Sequence, residues 1–209
     1  MNIILIGPPA SGKGTMAKTM SKDFGFAHIS TGEIFRDNIK KGTPLGDEVK
    51  DYLDKAVLVP DEITVNVIKK RILEKDCEKG IIFDGFPRNM KQAEMLETFA
   101  KIDAVIFLDV DLSLIEKRIL GRKTCSVCEK IYNTSTYNSD TCECGGKLYT
   151  RKDDDVETIR KRYKIYENET APLLEYYKDQ ITKFSAKDTP DQTYQPVKEF
   201  LEDLQRRTK

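Results

Sequence analysis

The chain has 209 residues, of which 39% are hydrophobic, so it is long enough to bury a sizeable core in one domain that carries an insertion. Its 35 lysines and arginines balance its 35 aspartates and glutamates, and this zero net charge provides no overall field that would attract nucleic acid or an anionic membrane. Any anionic ligand must therefore be bound by a local site.

The predicted strands are short apolar runs. The first, Asn2–Ile6, has no basic leader and is too short for a signal peptide or a membrane span, so we expect a cytoplasmic protein. Four further runs follow along the chain: Ala27–Ser30, Ile81–Asp84, Ala104–Asp109 and, with a weaker pattern, Ile181–Ser185. Because these runs are apolar without alternation and are separated by helical stretches, they predict a parallel sheet covered by helices on both faces.

The turn after the first strand reads GPPASGKGT, and Gly7, Gly12 and Lys13 match the GxxxxGK pattern of a phosphate-binding loop (P-loop). Gly14 takes the usual Ser or Thr position, and the hydroxyl follows at Thr15. A helix that begins near Lys13 would add the partial positive charge of its N-terminus to that of the lysine. The alternative is a tight turn with a surface lysine, but the spacing and the position after a strand favour a triphosphate site.

Between the second and third strands, residues 31–74 predict several helices, which is more helix than one crossover needs. Breaks at residues 41–46 and 58–62 place Pro44 and Pro60 in the first turns of the helices that follow. This extra helical segment is a natural cover for a ligand.

The third strand ends in Asp84, and Arg88 follows beyond a turn. A carboxylate at the carboxyl end of a strand faces the crevice where open α/β sheets bind ligands, and it can organise Mg²⁺ through water. Alone, Asp84 could cap a helix and Arg88 could lie on the surface, but beside a P-loop the functional interpretation is favoured. His28, the only histidine, ends the second strand and is interpreted as structural.

Arginine suits phosphate oxygens because its planar guanidinium is always charged. If Arg118 and Arg122 share a helix they lie one turn apart, at the start of a long non-helical segment, residues 122–155. A segment of this length is usually a lid or a metal-held unit. Residues 155–180 then predict one long helix, and a shorter helix runs from Thr193 to the end. The candidate phosphate-binding arginines are Arg36, Arg88, Arg118, Arg122, Arg151, Arg160 and Arg162.

Four of the five cysteines, Cys125, Cys128, Cys142 and Cys144, lie close together as a C-x-x-C pair and a C-x-C pair with thirteen residues between them. This spacing is near that of a zinc ribbon, and a closed four-thiolate site would be structural, folding the lid. The alternative is a metal-free lid with reduced thiols. Cys77 stands apart and is interpreted as a small, partly buried thiol.

Together, GPPASGKGT, STGEIFR, LVPDE, DGFPRNMKQ, the Gly121 and Arg122 pair and YTRKDDDVETIRKR closely resemble the adenylate kinases, in their long-lid bacterial form with a zinc-binding insert. The resemblance covers the chain to about Tyr177. It implies an α/β, three-layer P-loop nucleoside monophosphate (NMP) kinase fold, with a parallel five-stranded sheet, a helical NMP-binding insert and a zinc-ribbon-like LID insert. The implied domains are a core (1–29, 60–121 and 156–209), an NMP-binding domain (30–59) and a LID domain (122–155).

The resemblance also implies the site residues, in which Thr31 and Gln92 read adenine and Arg118 stacks on the ATP adenine. The ATP site would comprise Ala10, Ser11, Gly12, Lys13, Gly14, Thr15, Arg118, Arg122, Ile131 and Tyr132. The AMP site would comprise Thr31, Arg36, Val57, Leu58, Val59, Gly85, Phe86, Pro87, Arg88, Gln92, Arg151 and Arg162. The catalytic set would be Lys13, Asp84, Arg88, Arg122, Arg151 and Arg162, with Asp153 and Asp154 as lid-closing carboxylates.

The implied reaction is the reversible transfer of the γ-phosphoryl group of MgATP to AMP, giving two ADP, by a monomer that maintains the adenine nucleotide balance. The implied cofactors are Mg²⁺ with ATP and a structural Zn²⁺ in the lid. Two other classes are considered: a switch GTPase, for which we find no N-K-x-D motif, and a zinc-ribbon binding module, which would need a basic face. Ala10 and Glu33 depart from the family pattern, and residues 188–197 lack its usual Asp-Gly.

Overall fold

The computed structural model describes residues 1–207, which are organised around one five-stranded parallel sheet. Its strands are β1 (Asn2–Ile6), β2 (Ala27–Ser30), β3 (Ile81–Asp84), β4 (Ala104–Asp109) and β8 (Ile181–Ser185), in the order β2-β3-β1-β4-β8. The five apolar runs are thus confirmed as parallel strands. Since all five run the same way, their carboxyl ends meet at one edge of the sheet.

Helices cover both faces of this sheet because successive side chains of a strand point to opposite sides. Ile3 and Leu5 pack on one face with one set of helices, whereas Ile4 and Ile6 pack on the other face with a second set. The first set is α1 (Lys13–Phe24), α6 (Leu112–Leu120) and α9 (Pro190–Arg207), and the second is α4 (Asp61–Arg71), α5 (Met90–Glu97) and α8 (Leu173–Tyr176). The three-layer arrangement is confirmed.

Two helices, α2 (Thr31–Lys41) and α3 (Pro44–Asp54), lie between β2 and α4 and have a small core of their own. Pro44 occupies the first turn of α3, as predicted, after Thr43 caps the helix. Pro60 is instead the residue that precedes α4, which differs by one position from the prediction. Its missing N–H costs nothing there, because that position needs no intrahelical donor.

A second, smaller sheet is antiparallel and contains β5 (Arg122–Cys125), β6 (Ile131–Asn133) and β7 (Leu148–Tyr149), in the order β6-β5-β7. Its three strands lie within residues 122–155, the segment for which the sequence predicted no helix. The domain boundaries at residues 30–59 and 122–155 stay predictions.

The C-terminal part differs from the predicted helices. Residues 155–180 form α7 (Val156–Ile165), a π-helical turn and α8 rather than one long helix. Pro172 lacks the N–H that would continue the α-helical ladder, and the N–H of Ala171 bonds to the carbonyl of Tyr166, five residues back. The last helix, α9, begins at Pro190 instead of Thr193 and is the longer one, with 18 residues. Across residues 1–207, none of the helices has both the length and the apolar composition needed to cross a bilayer.

Candidate active site

A cavity of about 1060 Å³ opens at the carboxyl ends of the parallel strands. Its volume is at the upper end of the range for a small-molecule site, so it has room for more than one small ligand. The P-loop, the start of α2 and the turn after β3 form its wall on the side of the large sheet, and β5 and β6 close it from the small sheet. The two sheets therefore share one cleft.

The P-loop wraps around the amine of Lys13, which is the first residue of α1. The Nζ of Lys13 donates to the carbonyls of Gly7 and Pro8, each at 2.8 Å, and lies 3.3 Å from the hydroxyl of Ser11. Gly12 precedes the helix with φ 101°, a conformation that glycine adopts at little cost. Ala10 also has a left-handed backbone, with φ 57°, so this alanine adopts the turn at the expense of local strain.

Burial lowers the pKa of Lys13 to about 8; the negative charge of Asp84 opposes this shift, and Arg88 and Arg122 add to it. A lysine that is held this way gains from a bound anion, because the anion replaces the lost hydration and favours the charged form. The loop and its helix N-terminus thus form an electropositive nest for phosphate.

Asp84 is a buried carboxylate at the end of β3, next to the P-loop. The Nε2 of His28 donates to its Oδ2 at 3.2 Å, and a Cβ added at Gly14 would lie 3.5 Å from the same oxygen. His28 is the second residue of β2 rather than its last, and this contact gives it a partner at the site. Burial alone would raise the pKa of Asp84, but His28, Lys13 and Arg88 together lower it. An ionised carboxylate in this place suits a hydrated Mg²⁺.

Six of the candidate arginines line the cavity: Arg36, Arg88, Arg118, Arg122, Arg151 and Arg162. The remaining one, Arg160, faces away and pairs with Glu116 at 2.7 Å. Arg122 does not share a helix with Arg118, because α6 ends at Leu120 and Arg122 begins β5. The two guanidiniums still reach the same cleft from adjacent elements.

Two of these arginines are oriented by carboxylates that follow β7. Arg162 pairs with Asp153 at 2.5 Å, and Arg122 pairs with Asp154, whose side chain is fully buried. Neither aspartate lines the cavity; each holds a guanidinium that does. Arg151 donates from Nε to the hydroxyl of Thr124 at 3.1 Å.

The guanidiniums in the cleft are close enough to disfavour one another's charge. Burial, together with Arg162 and Arg36, lowers the pKa of Arg88 to about 10, and burial with Arg36 and Arg122 lowers that of Arg151 to about 10. The Nε of Arg36 is buried without a hydrogen-bond partner among the described residues. A cluster of desolvated cations with an unused donor is suited to a polyanionic ligand.

The side of the cavity near α2 contains most of the residues predicted for the AMP site. Thr31 donates from Oγ1 to the carbonyl of Gly85 at 2.9 Å, and Gln92 accepts from the backbone N–H of Arg88 at 2.8 Å. Phe86 does not line the cavity and is fully buried in the core beneath it. The lining residues from the predicted set are Thr31, Arg36, Val57, Leu58, Val59, Gly85, Pro87, Arg88, Gln92, Arg151 and Arg162.

On the opposite side, the predicted ATP residues Ala10, Ser11, Gly12, Lys13, Gly14, Thr15, Arg118, Arg122, Ile131 and Tyr132 all line the cavity. Arg118 donates to the carbonyls of Ala186 at 2.7 Å and Asp188 at 3.2 Å. Residues 186–190 also line the cavity, although the sequence carried no motif that placed them there. Sequence reasoning likewise missed Asp61, whose carboxylate contacts the side chain of Gln92.

The four clustered cysteines, Cys125, Cys128, Cys142 and Cys144, bring their sulfur atoms within 4.8 Å of one another, with three of the separations at 3.4, 3.5 and 3.6 Å. Tetrahedral zinc with bonds of about 2.3 Å separates its ligands by about 3.8 Å, so the donor set fits Zn²⁺. The hydroxyl of Tyr132 lies 3.2 Å from the Cys142 sulfur. Cys77 is buried away from this cluster, and its sulfur accepts a hydrogen bond from Nη1 of Arg71 at 3.1 Å.

Comparison with known proteins gives a consistent result. Residues 5–182 match the family model described as adenylate kinase. A Clostridium tetani protein named adenylate kinase is 49% identical over 188 residues, which cover 86% of this chain and 87% of that protein. A protein of the same name from Clostridium kluyveri is 45% identical, with 96% and 98% covered, and one from Archaeoglobus fulgidus is 44% identical, with 91% and 92% covered.

Proposed function

The chain belongs to the adenylate kinase family, and from this premise we propose how its own residues carry out the reaction. The reaction is the reversible transfer of the γ-phosphoryl group of MgATP to AMP, giving two ADP. The observation that carries the proposal is that Lys13 and six arginines line one and the same cavity. Two nucleotides that meet there bring their phosphates into a cluster of cations.

The acceptor in this reaction is already an anionic oxygen, so the enzyme needs no general base. Its work is to align two phosphate groups that repel each other and to neutralise the charge that spreads over the equatorial oxygens in the transition state. Lys13 and the P-loop amides hold the triphosphate, and Arg36 and Arg88 hold the phosphate of AMP. Arg122, Arg151 and Arg162 stabilise the phosphoryl group during its transfer. Asp153 orients Arg162, and Asp154 orients Arg122.

Residues 30–59 and 122–155 would be the two covers that exclude water, which is otherwise a competing acceptor. Contacts between elements support a closed arrangement of these covers. The Nζ of Lys40 in α2 donates to the carbonyl of Ser126 at 3.0 Å, and that of Lys18 in α1 donates to the carbonyl of Glu129 at 2.9 Å. Closure would bring the arginines of the lid onto the bound phosphates.

The chemistry of two donor sets supports the cofactors. Asp84 would hold the hydrated Mg²⁺ that accompanies ATP, and this ion supplies neutralising charge on the β- and γ-phosphates. The four cysteines would hold a structural Zn²⁺, which leaves no open position for catalysis and serves to fold the lid. We further propose that the protein acts as a cytoplasmic monomer on ATP, AMP and ADP, and not on nucleic acid or membranes.

The proposal is tested by mixing the protein with ATP, AMP and Mg²⁺ and following ADP, then repeating the assay with GMP, CMP and UMP as acceptors. We expect ADP to form rapidly with AMP and far more slowly with the other three. Arg88→Ala should lose most of the turnover, whereas Arg160→Ala, whose guanidinium faces away from the cleft, should retain it. Absence of ADP from the wild-type reaction would end the proposal.

A further inference from the structure

The side-chain amide of Gln92 is held at both ends. Gln92 lies in α5, lines the cavity and is only 2% exposed. Its Oε1 accepts a hydrogen bond from the backbone N–H of Arg88 at 2.8 Å, and its Nε2 donates to Oδ1 of Asp61 at 2.8 Å. The amide therefore has one fixed donor partner and one fixed acceptor partner.

Asp61 is the first residue of α4, and a third side chain fixes its carboxylate. The Nδ2 of Asn89 donates to the same Oδ1 at 2.9 Å, while the Oδ1 of Asn89 accepts from the backbone N–H of Gln92 at 2.8 Å. Asp61, Asn89 and Gln92 thus form a closed ring of three hydrogen bonds. The ring joins the start of α4 to the start of α5.

The chemistry of these partners permits only one orientation of the Gln92 amide. An ionised carboxylate accepts hydrogen bonds and donates none, and a backbone N–H only donates. A flipped amide would turn its oxygen toward the carboxylate of Asp61 and its NH₂ group toward the N–H of Arg88. Both contacts would become repulsive and would leave buried polar groups without partners, which is costly.

The fixed amide has one lone pair on oxygen and one N–H left over for a ligand. An acceptor beside a donor matches the Watson–Crick edge of adenine, whose amino group donates and whose N1 accepts. Guanine carries an acceptor and a donor in the reverse order, so it would meet two mismatched contacts. A site whose buried polar groups are left unpaired rejects the wrong base strongly.

We propose that Asp61 is a positioning residue that sets the purine specificity of the acceptor site by locking the amide of Gln92 in the adenine-reading orientation. This inference rests on the proposed function, in which Gln92 reads the base of the acceptor nucleotide. Asp61 acts through Gln92 and does not touch the substrate. Its loss removes one of the two contacts that hold the amide, so the flipped orientation, opposed then only by the N–H of Arg88, becomes less costly.

The test compares kcat and KM for AMP and GMP in the wild type, Asp61→Ala, Asp61→Asn and Gln92→Ala. We expect Asp61→Ala to lower the AMP-to-GMP ratio of kcat/KM by roughly tenfold to a hundredfold, mainly through KM for the acceptor. KM for ATP should stay unchanged, because the P-loop is not involved. Asp61→Asn should keep the ratio within about threefold, since an amide oxygen can accept the same two hydrogen bonds.

Glu62→Ala is the matched control, because this neighbouring carboxylate pairs with Lys91 at 2.6 Å and, among the described residues, makes no hydrogen bond to Gln92. If Asp61→Ala melts below the assay temperature, Asp61→Leu fills the same space without an acceptor and replaces it. An unchanged ratio in the folded variant, or an equal loss in Asp61→Asn, overturns the inference. If Gln92→Ala itself keeps the wild-type ratio, the proposed adenine-reading role of Gln92 fails instead.

Discussion

The core around the parallel sheet and the lid around the small sheet are stabilised in different ways. The core buries extended apolar clusters on both faces of its five strands. In the part of the chain that the structure describes, the buried cluster of the lid contains four residues, Cys125, Tyr132, Cys142 and Leu148. Units below about 40 residues rarely fold on apolar burial alone, so the lid depends on its cysteines where the core depends on packing.

Both regions nevertheless contribute cations to one cleft. The residues that serve catalysis therefore come from both regions, although the two regions are stabilised in different ways. Lys13 comes from the core, and Arg122 and Arg151 come from the lid or its edge. A change in either region can therefore reduce activity. Only a change in the core should lower the free energy of unfolding of the whole protein. The following experiments test this difference, in order of decreasing expected effect.

The largest effect should come from Lys13→Met in the core. Removing the amine takes one preorganised positive charge from the transferring phosphoryl group, which should lower kcat by about 10²- to 10³-fold. Because the amine is buried at a cost that lowers its pKa, the melting temperature should not fall. Steady-state kinetics and thermal unfolding check this, with Lys22→Met, an exposed lysine of the same helix, as the control. A loss of both rate and stability would contradict the separation.

The lid should respond in the opposite way to loss of its metal. Cys142→Ser, or a chelator that strips zinc, should lower the temperature at which the lid melts more than it lowers the initial rate measured at low temperature. The cysteines do not line the cavity, so a zinc ion that they hold would act on folding rather than on the phosphates. Zinc content by atomic absorption and thermal unfolding by calorimetry check this.

Cys77→Ser is the matched control for the zinc experiment, because this thiol is buried in the core and lies outside the cluster. It should leave the zinc content unchanged. Loss of catalysis on chelation in a sample that stays fully folded would show that the metal does more than hold the lid.

The same contrast explains what the sequence could predict. The strands of the core were predictable with their bounds because burial on both faces makes each of them a continuous apolar run. The clustering of the lid cysteines was predictable because the ligands of zinc ribbons typically occur as closely spaced pairs. Asp61 was not, because it meets Gln92 across 31 residues and no local pattern marks that contact. The break at Pro172 was missed because the apolar periodicity continues through it.

A smaller effect should follow from pH, and it separates the cations of the two regions. With a pKa of about 8, Lys13 loses its charge in the free enzyme as the pH rises above 8, whereas Arg151, with a pKa of about 10, keeps its charge. ATP binds the protonated lysine, so its Kd should rise about tenfold per pH unit above 8. Calorimetry at pH 7 to 9.5 should show proton uptake on binding, and Lys13→Met should remove this pH dependence.

The smallest effect concerns two positions with a left-handed backbone, one in each region. Ala10 in the P-loop has φ 57°, and Gly145 in the lid has φ 83° with open space where a Cβ would stand. Left-handed geometry costs an alanine about 1–2 kcal/mol, and glycine adds about 0.4–1 kcal/mol of entropy to the unfolded chain. Ala10→Gly should therefore raise the free energy of unfolding by about 0.8 kcal/mol, the difference between the midpoints of these two ranges.

Gly145→Ala introduces the same strain into the lid, next to Cys144, so it should weaken zinc binding while the unfolding transition of the core stays where it is. Denaturant titration monitored in the core and competition with a zinc chelator measure the two quantities separately. If Gly145→Ala shifted the core transition as much as Ala10→Gly does, the two regions would unfold as one unit. The metal would then stabilise the whole chain, and the lid could not be treated as a separately held part.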